Sequence, residues 1–328
     1  MQLIRHTSFL LAATIGLSAA IAGTLSTPAH AGEMPATHAA ASPAQAGVYR
    51  YRLGNFEITA LSDGTVPQDA DKLLKGVSKA VIDQLLERSF QTNPVEGSIN
   101  AFLIDTGTRL VLVDAGAGDF FGPGAGGKLV ARLKTAGYTP AQIDDVLLTH
   151  VHPDHSGGLV HDGQRVFPNA LIHVGQPDVD FFLDPAHQHG VKGYGKVYFQ
   201  DATLSLAPYA KSGQLHPFSG PTRILPGIRA IPAPGHTPGH SFYRVQSQGQ
   251  SITFIGDMVN VAAVQFPRPD ITSVYDKNPA RAKAQRVKQD ARLTKARELV
   301  AGAHLPFPGI GHIRTLDGGY EFVPVVFR

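Results

Sequence analysis

The chain has 328 residues, with 29 lysines and arginines against 26 aspartates and glutamates. This near balance argues against nucleic acid or an anionic membrane surface as the main partner. The chain contains no cysteine. Disulfides and a thiolate nucleophile are therefore excluded, and any metal site must be built mainly from histidine and carboxylate.

The first 31 residues predict a secretory signal peptide. Residues 8–22 are mostly apolar, and Ala29-His30-Ala31 has the small-x-small pattern of a cleavage site. The alternative, a membrane anchor, is disfavoured because the apolar stretch is short for a span of about 20 residues. We therefore expect an exported protein, periplasmic or secreted. Residues 32–48, rich in Ala, Pro, Gly, Ser and Thr, predict a disordered linker, and 49–328 the folded domain.

Strands and helices alternate from residue 49 onward. The spacing of Leu129 and Leu133 predicts a helix, and a capping box from Thr139 to Gln142 predicts another helix start. Asn278-Pro279 predicts a helix that runs to about residue 300, whose many basic residues are interpreted as a solvated face. Short apolar runs predict strands over residues 56–61, 101–105, 110–114, 146–149, 170–174, 228–231, 242–245 and 252–255. The alternation favours an α/β fold of the layered α+β kind.

The densest cluster of chemically active side chains follows the predicted strand 146–149. His150, His152, Asp154 and His155 lie close together in the sequence. Because side chains alternate along a strand, His150 and His152 can turn to one side, while Asp154 and His155 on the next turn can face a second point. Imidazole and carboxylate are ligands that Zn²⁺ and related ions prefer, so this spacing predicts a metal site.

This H-x-H-x-D-H pattern resembles the signature of the metallo-β-lactamase superfamily, and later segments resemble its other motifs in matching order. They are Pro234-Gly235-His236, Gly256-Asp257 and Ala303-His304, with an earlier motif ending at Asp114-Ala115-Gly116. The resemblance implies an αββα sandwich that binds two divalent metal ions, most commonly zinc. It also implies that the metal ligands are His150, His152 and His236 for one ion and Asp154, His155 and His304 for the other, bridged by Asp257.

The same resemblance assigns supporting roles to neighbouring residues. Asp114 and His240 are expected to orient ligands without touching a metal. His312 is a rival for the last ligand, but the family places that ligand soon after the long helix, which favours His304. Two close cations lower the pKa of a shared water, so a bridging hydroxide is the expected nucleophile, held by Asp257 as the catalytic carboxylate.

The signal peptide and the segments 56–65, 261–266 and 304–313 resemble the methyl parathion hydrolase and lactonase branch of the family. That branch implies neutral, apolar substrates, here a lactone or aryl ester, with organophosphate triesters as further substrates, and a homodimer. It also implies an aromatic substrate pocket, for which the candidates are Phe121, Phe182, Tyr198 and Phe199. The chain has no tryptophan, which that pocket contains in the organophosphatases.

Two alternatives of other kinds stay open at the level of sequence. A periplasmic β-lactamase would use the same fold, but the antibiotic-degrading enzymes lack the bridging aspartate that Asp257 supplies. A periplasmic metal-binding protein without catalytic activity would also need these ligands, but seven ligands shared by two metals leave a position open for water.

Overall fold

The computed structural model describes residues 47–326. The predicted signal peptide and nearly all of the predicted linker lie outside these residues, although Val48, at the end of that linker, already begins the first strand. The strands are β1 Val48–Leu53, β2 Phe56–Gln68, β3 Leu74–Lys75, β4 Val95–Asp105, β5 Leu110–Val113, β6 Asp145–Leu147, β7 Val160–His161, β8 Gln164–Arg165, β9 Leu171–Gly175, β10 Leu215–Phe218, β11 Thr222–Leu225, β12 Ile228–Pro232, β13 Ser241–Ser247, β14 Gln250–Phe254, β15 Thr272–Ser273, β16 Leu299–Ala301, β17 Ile310–Leu316 and β18 Gly319–Pro324.

The helices lie between these strands along the chain. The α-helices are α1 Ala70–Leu73, α2 Lys79–Arg88, α3 Leu129–Thr135, α4 Pro153–Ser156, α5 Gln176–Phe182, α6 Lys196–Lys211, α7 Ala262–Gln265 and α8 Pro279–Ala296. Single 3₁₀ turns occur at Pro140–Gln142, Gly157–Leu159, Pro185–His187 and Gly256–Met258. Among residues 47–326, none of these helices is both long and apolar enough to cross a bilayer.

Within the described part of the chain, two seven-stranded sheets face each other. The first has the order β1-β2-β4-β5-β6-β9-β10 and the second β11-β12-β13-β14-β16-β17-β18. Phe102 of β4 packs toward Tyr243 and Phe254 of the second sheet, whereas its neighbour Leu103 faces the opposite side, as period-two alternation requires. A core of apolar side chains therefore lies between the sheets.

Helices cover the outer face of each sheet. Leu133 of α3 and Leu206 of α6 pack on the outer face of the first sheet. Leu293 of α8 packs against Phe242 and Val300 of the second. The resulting order of layers is helix, sheet, sheet, helix, which confirms the αββα sandwich expected from the sequence.

The helix that begins at Asn278 ends earlier than the sequence predicts. The Asn278 side chain caps its first turn by accepting from the Arg281 N–H group. The helix stops at Ala296 because Arg297 adopts the left-handed conformation, with φ 49° and ψ 34°. The apolar run that follows becomes the buried strand β16, parallel to β14. The prediction of helix to residue 300 is thus corrected, because the hydrogen bonds of the sheet decide the conformation of this segment. The predicted helix start at Thr139 similarly yields a single 3₁₀ turn.

Candidate metal centre

The candidate ligands come from connections that follow the ends of strands. His150 lies just after β6, and His152 is the residue before α4, in extended conformation with Pro153 opening the helix. On the second sheet, the connections after β12, β14 and β16 carry His236, Asp257 and His304. The strands β14 and β16 are parallel neighbours, so their carboxyl ends meet at the same edge of the sheet.

These side chains form two groups, which we call the first and second ligand groups. The first contains His150, His152, His236 and Asp257, and the second contains Asp154, His155 and His304; within each, the ligand atoms lie within 4.8 Å of one another. His304 therefore supplies the last donor, whereas His312 is exposed on β17.

Nitrogen atoms converge in the first group. His152 Nδ1 lies 2.9 Å from His150 Nε2 and 3.1 Å from His236 Nε2. In the second group, Asp154 Oδ2 lies 3.3 Å from His304 Nε2 and 3.5 Å from His155 Nε2. At these distances, histidine nitrogens and carboxylate oxygens surround two neighbouring positions, each of which a metal ion could occupy.

Asp257 lies between the groups and presents one carboxylate oxygen toward each. Its Oδ2 is 3.2 Å from His236 Nε2 in the first group. Its Oδ1 is 3.0 Å from His155 Nε2 and 3.1 Å from His304 Nε2 in the second. This geometry is that of a carboxylate able to bridge two cations.

The donor atoms fit a pair of metal ions. Asp257 Oδ1 and His155 Nε2 are buried, and although they lie 3.0 Å apart, neither makes a well-aligned hydrogen bond with the other or with any other described residue. A buried polar atom without a partner costs about 1–3 kcal/mol, so its presence calls for an occupant. The set of imidazoles and carboxylates suits Zn²⁺ and similar divalent ions.

Partners on the far side of the imidazole rings fix which nitrogen faces each group. His155 Nδ1 lies 2.9 Å from Asp114 Oδ2, and His304 Nδ1 lies 2.7 Å from the carbonyl oxygen of Ser98. Asp114 itself has φ 58°, a left-handed conformation rare for a non-glycine residue, and it also accepts from the Thr149 N–H group at 2.8 Å. These contacts orient each ring, as is usual for metal-binding histidines.

His240 contacts the backbone of a candidate ligand rather than its side chain. Its Nε2 accepts from the Asp257 N–H group at 3.1 Å, which fixes the turn that carries this carboxylate. The ring is buried, and burial lowers the pKa of His240 to about 3. The ring is therefore neutral and can accept this hydrogen bond.

Electrostatics in the two groups favour added positive charge. Burial opposes the charged form of His236 and His304, but nearby carboxylates, led by Asp257, raise the pKa of His236 to about 9 and that of His304 to about 10. Burial likewise opposes ionisation of Asp257, but the surrounding histidines hold its pKa well below the ordinary value. The Asp257 carboxylate is thus ionised in a buried site, which is an environment for cations.

A cavity of about 430 Å³ lies over the two groups. Phe121 and Tyr198 line it, together with Val66, Leu73 and Tyr275. Its floor is formed by members of both groups: His152, Asp154, Asp257 and His304. The volume is within the usual range of about 300–1,000 Å³ for small-molecule sites.

Phe182 and Phe199 do not line this cavity, which corrects their assignment as substrate contacts. Both are completely buried in the core on the outer face of the first sheet. Consecutive helix residues point about 100° apart, so on α6 only Tyr198 of the pair Tyr198 and Phe199 faces the cavity. Phe182 packs behind His152, with ring centroids 5.9 Å apart, and supports a ligand instead of a substrate.

Sequence reasoning missed several residues that hold the site. Asp178 is completely buried and joins two ligand loops: it accepts from the Val151 N–H group at 3.2 Å, from the Thr237 hydroxyl at 2.8 Å and from the Gly239 N–H group at 2.5 Å. Burial raises the pKa of Asp178 to about 6. Asn260 donates to Asp257 Oδ2 at 2.9 Å. These residues lie outside the recognised motifs, and no local pattern distinguishes them.

With this geometry established, the comparisons with known proteins define the class. A family model for the metallo-beta-lactamase superfamily matches residues 94–304. The chain belongs to that superfamily, and its histidines and aspartates are positioned for the dinuclear metal site of the family.

Individual relatives are lactonases and other hydrolases. The crystal structure of hydrolase AbOPH of the β-lactamase superfamily is 37% identical, with a TM-score of 0.82 over 87% of this chain and 99% of that chain. AidC, a dizinc quorum-quenching lactonase in complex with a product, N-hexanoyl-L-homoserine, is 27% identical, with a TM-score of 0.79 over 86% of this chain and 98% of that chain. An N-acyl homoserine lactonase from Bacillus sp. is 26% identical over 37% of this chain. The matched region spans about two fifths of the curated relatives' own length.

Proposed function

We propose that this protein is an exported, two-zinc hydrolase of neutral, apolar lactones and aryl esters, with phosphotriesters as a further substrate class. The observation that carries this proposal is the position of Asp257. Its carboxylate presents one oxygen to each ligand group at the floor of a cavity with apolar and aromatic walls.

The chain's own residues have distinct tasks in such a reaction. Two divalent cations held by the ligand groups would supply a hydroxide near neutral pH and polarise the oxygen of the scissile group. Asp257, which presents one carboxylate oxygen to each ligand group, would hold the two cations and the hydroxide in place at the floor of the cavity. Phe121, Tyr198 and Val66 bind the acyl or aryl part and exclude water from it.

The rim of the cavity supports a neutral substrate. Lys72 and Asp69 both line it, and their charged groups are 2.9 Å apart. The two charges offset each other, so this part of the rim has no net attraction for an ionised substrate. The walls near them, Leu73 and Val66, are apolar, which favours an acyl chain or an aromatic ring.

The chemistry of the donor atoms supports zinc, and the relatives support both zinc and lactone hydrolysis. Histidine nitrogen and carboxylate oxygen are common zinc ligands, and AidC is described as a dizinc lactonase. The bridging position of Asp257 counts against a β-lactamase. The cavity above the ligand groups counts against a metal-binding protein without catalytic activity, because it offers room for a substrate.

The test is hydrolysis of a panel by the purified protein: dihydrocoumarin, an acyl-homoserine lactone, p-nitrophenyl acetate, methyl paraoxon and nitrocefin. Each assay is run as purified, after chelation, and after Zn²⁺ is returned, with Asp257→Asn as the control. We expect turnover of lactone or aryl ester that disappears with chelation and returns with metal. Activity that survives complete metal removal, or turnover of nitrocefin alone, would overturn the proposal. Export is tested separately by locating the protein in fractionated source cells, where retention in the cytoplasm would refute it.

A further inference from the structure

A short segment that runs from the end of β15 toward α8 contributes to both the cavity and the ligand groups. We call residues 273–276 the wall segment. The side chains of Val274 and Tyr275 line the cavity. The same segment also reaches the back of two histidines of the first ligand group, as the following contacts show.

The first of these contacts is direct. Asp276 Oδ1 lies 2.9 Å from His236 Nδ1, and Asp276 Oδ2 accepts from the Ser273 N–H group at 2.8 Å. The Lys277 N–H group also donates to the His236 carbonyl at 2.9 Å. Because the Asp276 carboxylate accepts a hydrogen bond from the Nδ1–H group of His236, this ring presents the lone pair of its Nε2 to the first ligand group.

The second contact runs through Tyr194, which is buried. Its hydroxyl donates to the Tyr275 carbonyl at 2.6 Å, and it also lies 3.2 Å from the His236 carbonyl. The hydroxyl oxygen is 3.1 Å from His152 Nε2. Since a tyrosine hydroxyl has one proton, donation to Tyr275 leaves its oxygen to accept from His152 Nε2–H. His152 Nδ1 is then free to face the first ligand group.

The second ligand group has outer partners from a different part of the fold. His155 bonds to Asp114, which follows β5, and His304 bonds to the Ser98 carbonyl in β4. Both partners belong to the first sheet or its connections, not to the wall segment. A change in the wall segment should therefore alter the orientation of histidines in the first ligand group and leave those of the second group in place.

We propose that Tyr194 and Asp276 are positioning residues that hold His152 and His236 for one of the two metal ions, and that they tie this ion to the cavity wall at Tyr275. The inference rests on the proposed function only in requiring that two metals bind. Loss of such outer partners in metalloproteins weakens metal binding by about 10- to 100-fold. The predicted effect is therefore confined to one site and leaves the other unchanged.

The experiment compares Tyr194→Phe with Tyr209→Phe as a matched control. Tyr209 is also buried, and its hydroxyl donates to the Leu159 carbonyl at 2.9 Å, away from the ligand groups. The stepwise dissociation constants for Zn²⁺ are measured by chelator competition, together with the visible spectrum of the Co²⁺-loaded protein. We expect Tyr194→Phe to weaken one constant by about 10- to 100-fold and to alter part of the spectrum, and Tyr209→Phe to leave both constants unchanged.

Three outcomes would overturn the inference: two unchanged constants in Tyr194→Phe, equal weakening of both, or the same loss in Tyr209→Phe. If Tyr194→Phe does not fold, Asp276→Asn, which retains the size of the side chain, is used to measure the same Zn²⁺ dissociation constant. The readout needs no substrate. Two bound metals without turnover would therefore refute the proposed function alone, whereas an unchanged Tyr194→Phe variant would refute the inference alone.

Discussion

Asp290, on α8, offers a test of the forces that hold the helix against the second sheet. It is completely buried, and both carboxylate oxygens lack a hydrogen-bond partner among the described residues. Burial raises its pKa to about 7, although nearby Arg286 partly opposes the shift. Arg286 is itself occupied by backbone carbonyls, including those of Met258 and Ile271, each at 2.5 Å.

The pH dependence follows from the two protonation states. In the unfolded chain the carboxyl ionises around its ordinary pKa of 3.8, whereas in the folded protein it stays protonated to about pH 7. The unfolded state therefore holds fewer protons between these values, and the free energy of unfolding falls as pH rises until about pH 7. From pH 5 to pH 7 the loss is about 2 kcal/mol, because the slope of about 1.4 kcal/mol for each pH unit declines as the folded carboxyl itself ionises near pH 7.

The variant Asp290→Asn removes this titration, and urea unfolding at pH 5 and pH 8 measures it. We expect wild type to lose about 3 kcal/mol relative to the variant between these pH values. Glu298→Gln is the control, because the pKa of Glu298 is shifted in the opposite direction to that of Asp290. Although burial opposes ionisation, hydrogen bonds led by that from Arg244 lower the pKa of Glu298, so its contribution is lost only at acidic pH. A difference between wild type and Asp290→Asn that does not change with pH would refute the reasoning.

Three further predictions test the site and its supports. His304→Ala should reduce bound metal from two ions to one per chain, whereas His312→Ala should leave two, as elemental analysis of the purified variants would show; equal losses would contradict the ligand assignment. Asp63→Ala removes an acceptor of three backbone N–H groups and should lower the free energy of unfolding by about 3 kcal/mol in urea, an unchanged midpoint being the adverse result. Phe182→Ala should lower the free energy of unfolding by about 3–5 kcal/mol, whereas Phe121→Ala should mainly raise KM in steady-state assays. A destabilised Phe121→Ala with a stable Phe182→Ala of raised KM would contradict the assignment of Phe182 to the core and Phe121 to the cavity.

The fold and the ligand groups could be predicted from the sequence because both depend on local patterns. Alternation along β4 separates Phe102 from Leu103, and this period is visible in the residues themselves. The donor types in the segment from His150 to His155 are close in sequence, so their convergence follows from one strand end and one turn.

The supports of the site depend on contacts between distant segments. Tyr194 meets Tyr275 across 81 positions of the chain, and nothing around either residue indicates this. Whether Tyr198 or Phe199 faces the cavity depends on the rotation of α6 on the first sheet, which two adjacent aromatics do not specify. The left-handed residue Arg297 likewise ends α8 where the sequence continues to favour helix.

The ligand groups draw on both sheets, and this affects how the molecule assembles. Four donors, from His150 to His155, follow β6 of one sheet, while His236, Asp257 and His304 follow strands of the other. Bound cations therefore cross-link the two halves and stabilise only their docked state, by about 4 kcal/mol when free metal exceeds its dissociation constant a thousandfold. Each ligand group takes donors from both sheets, so neither group is complete until the two sheets have docked.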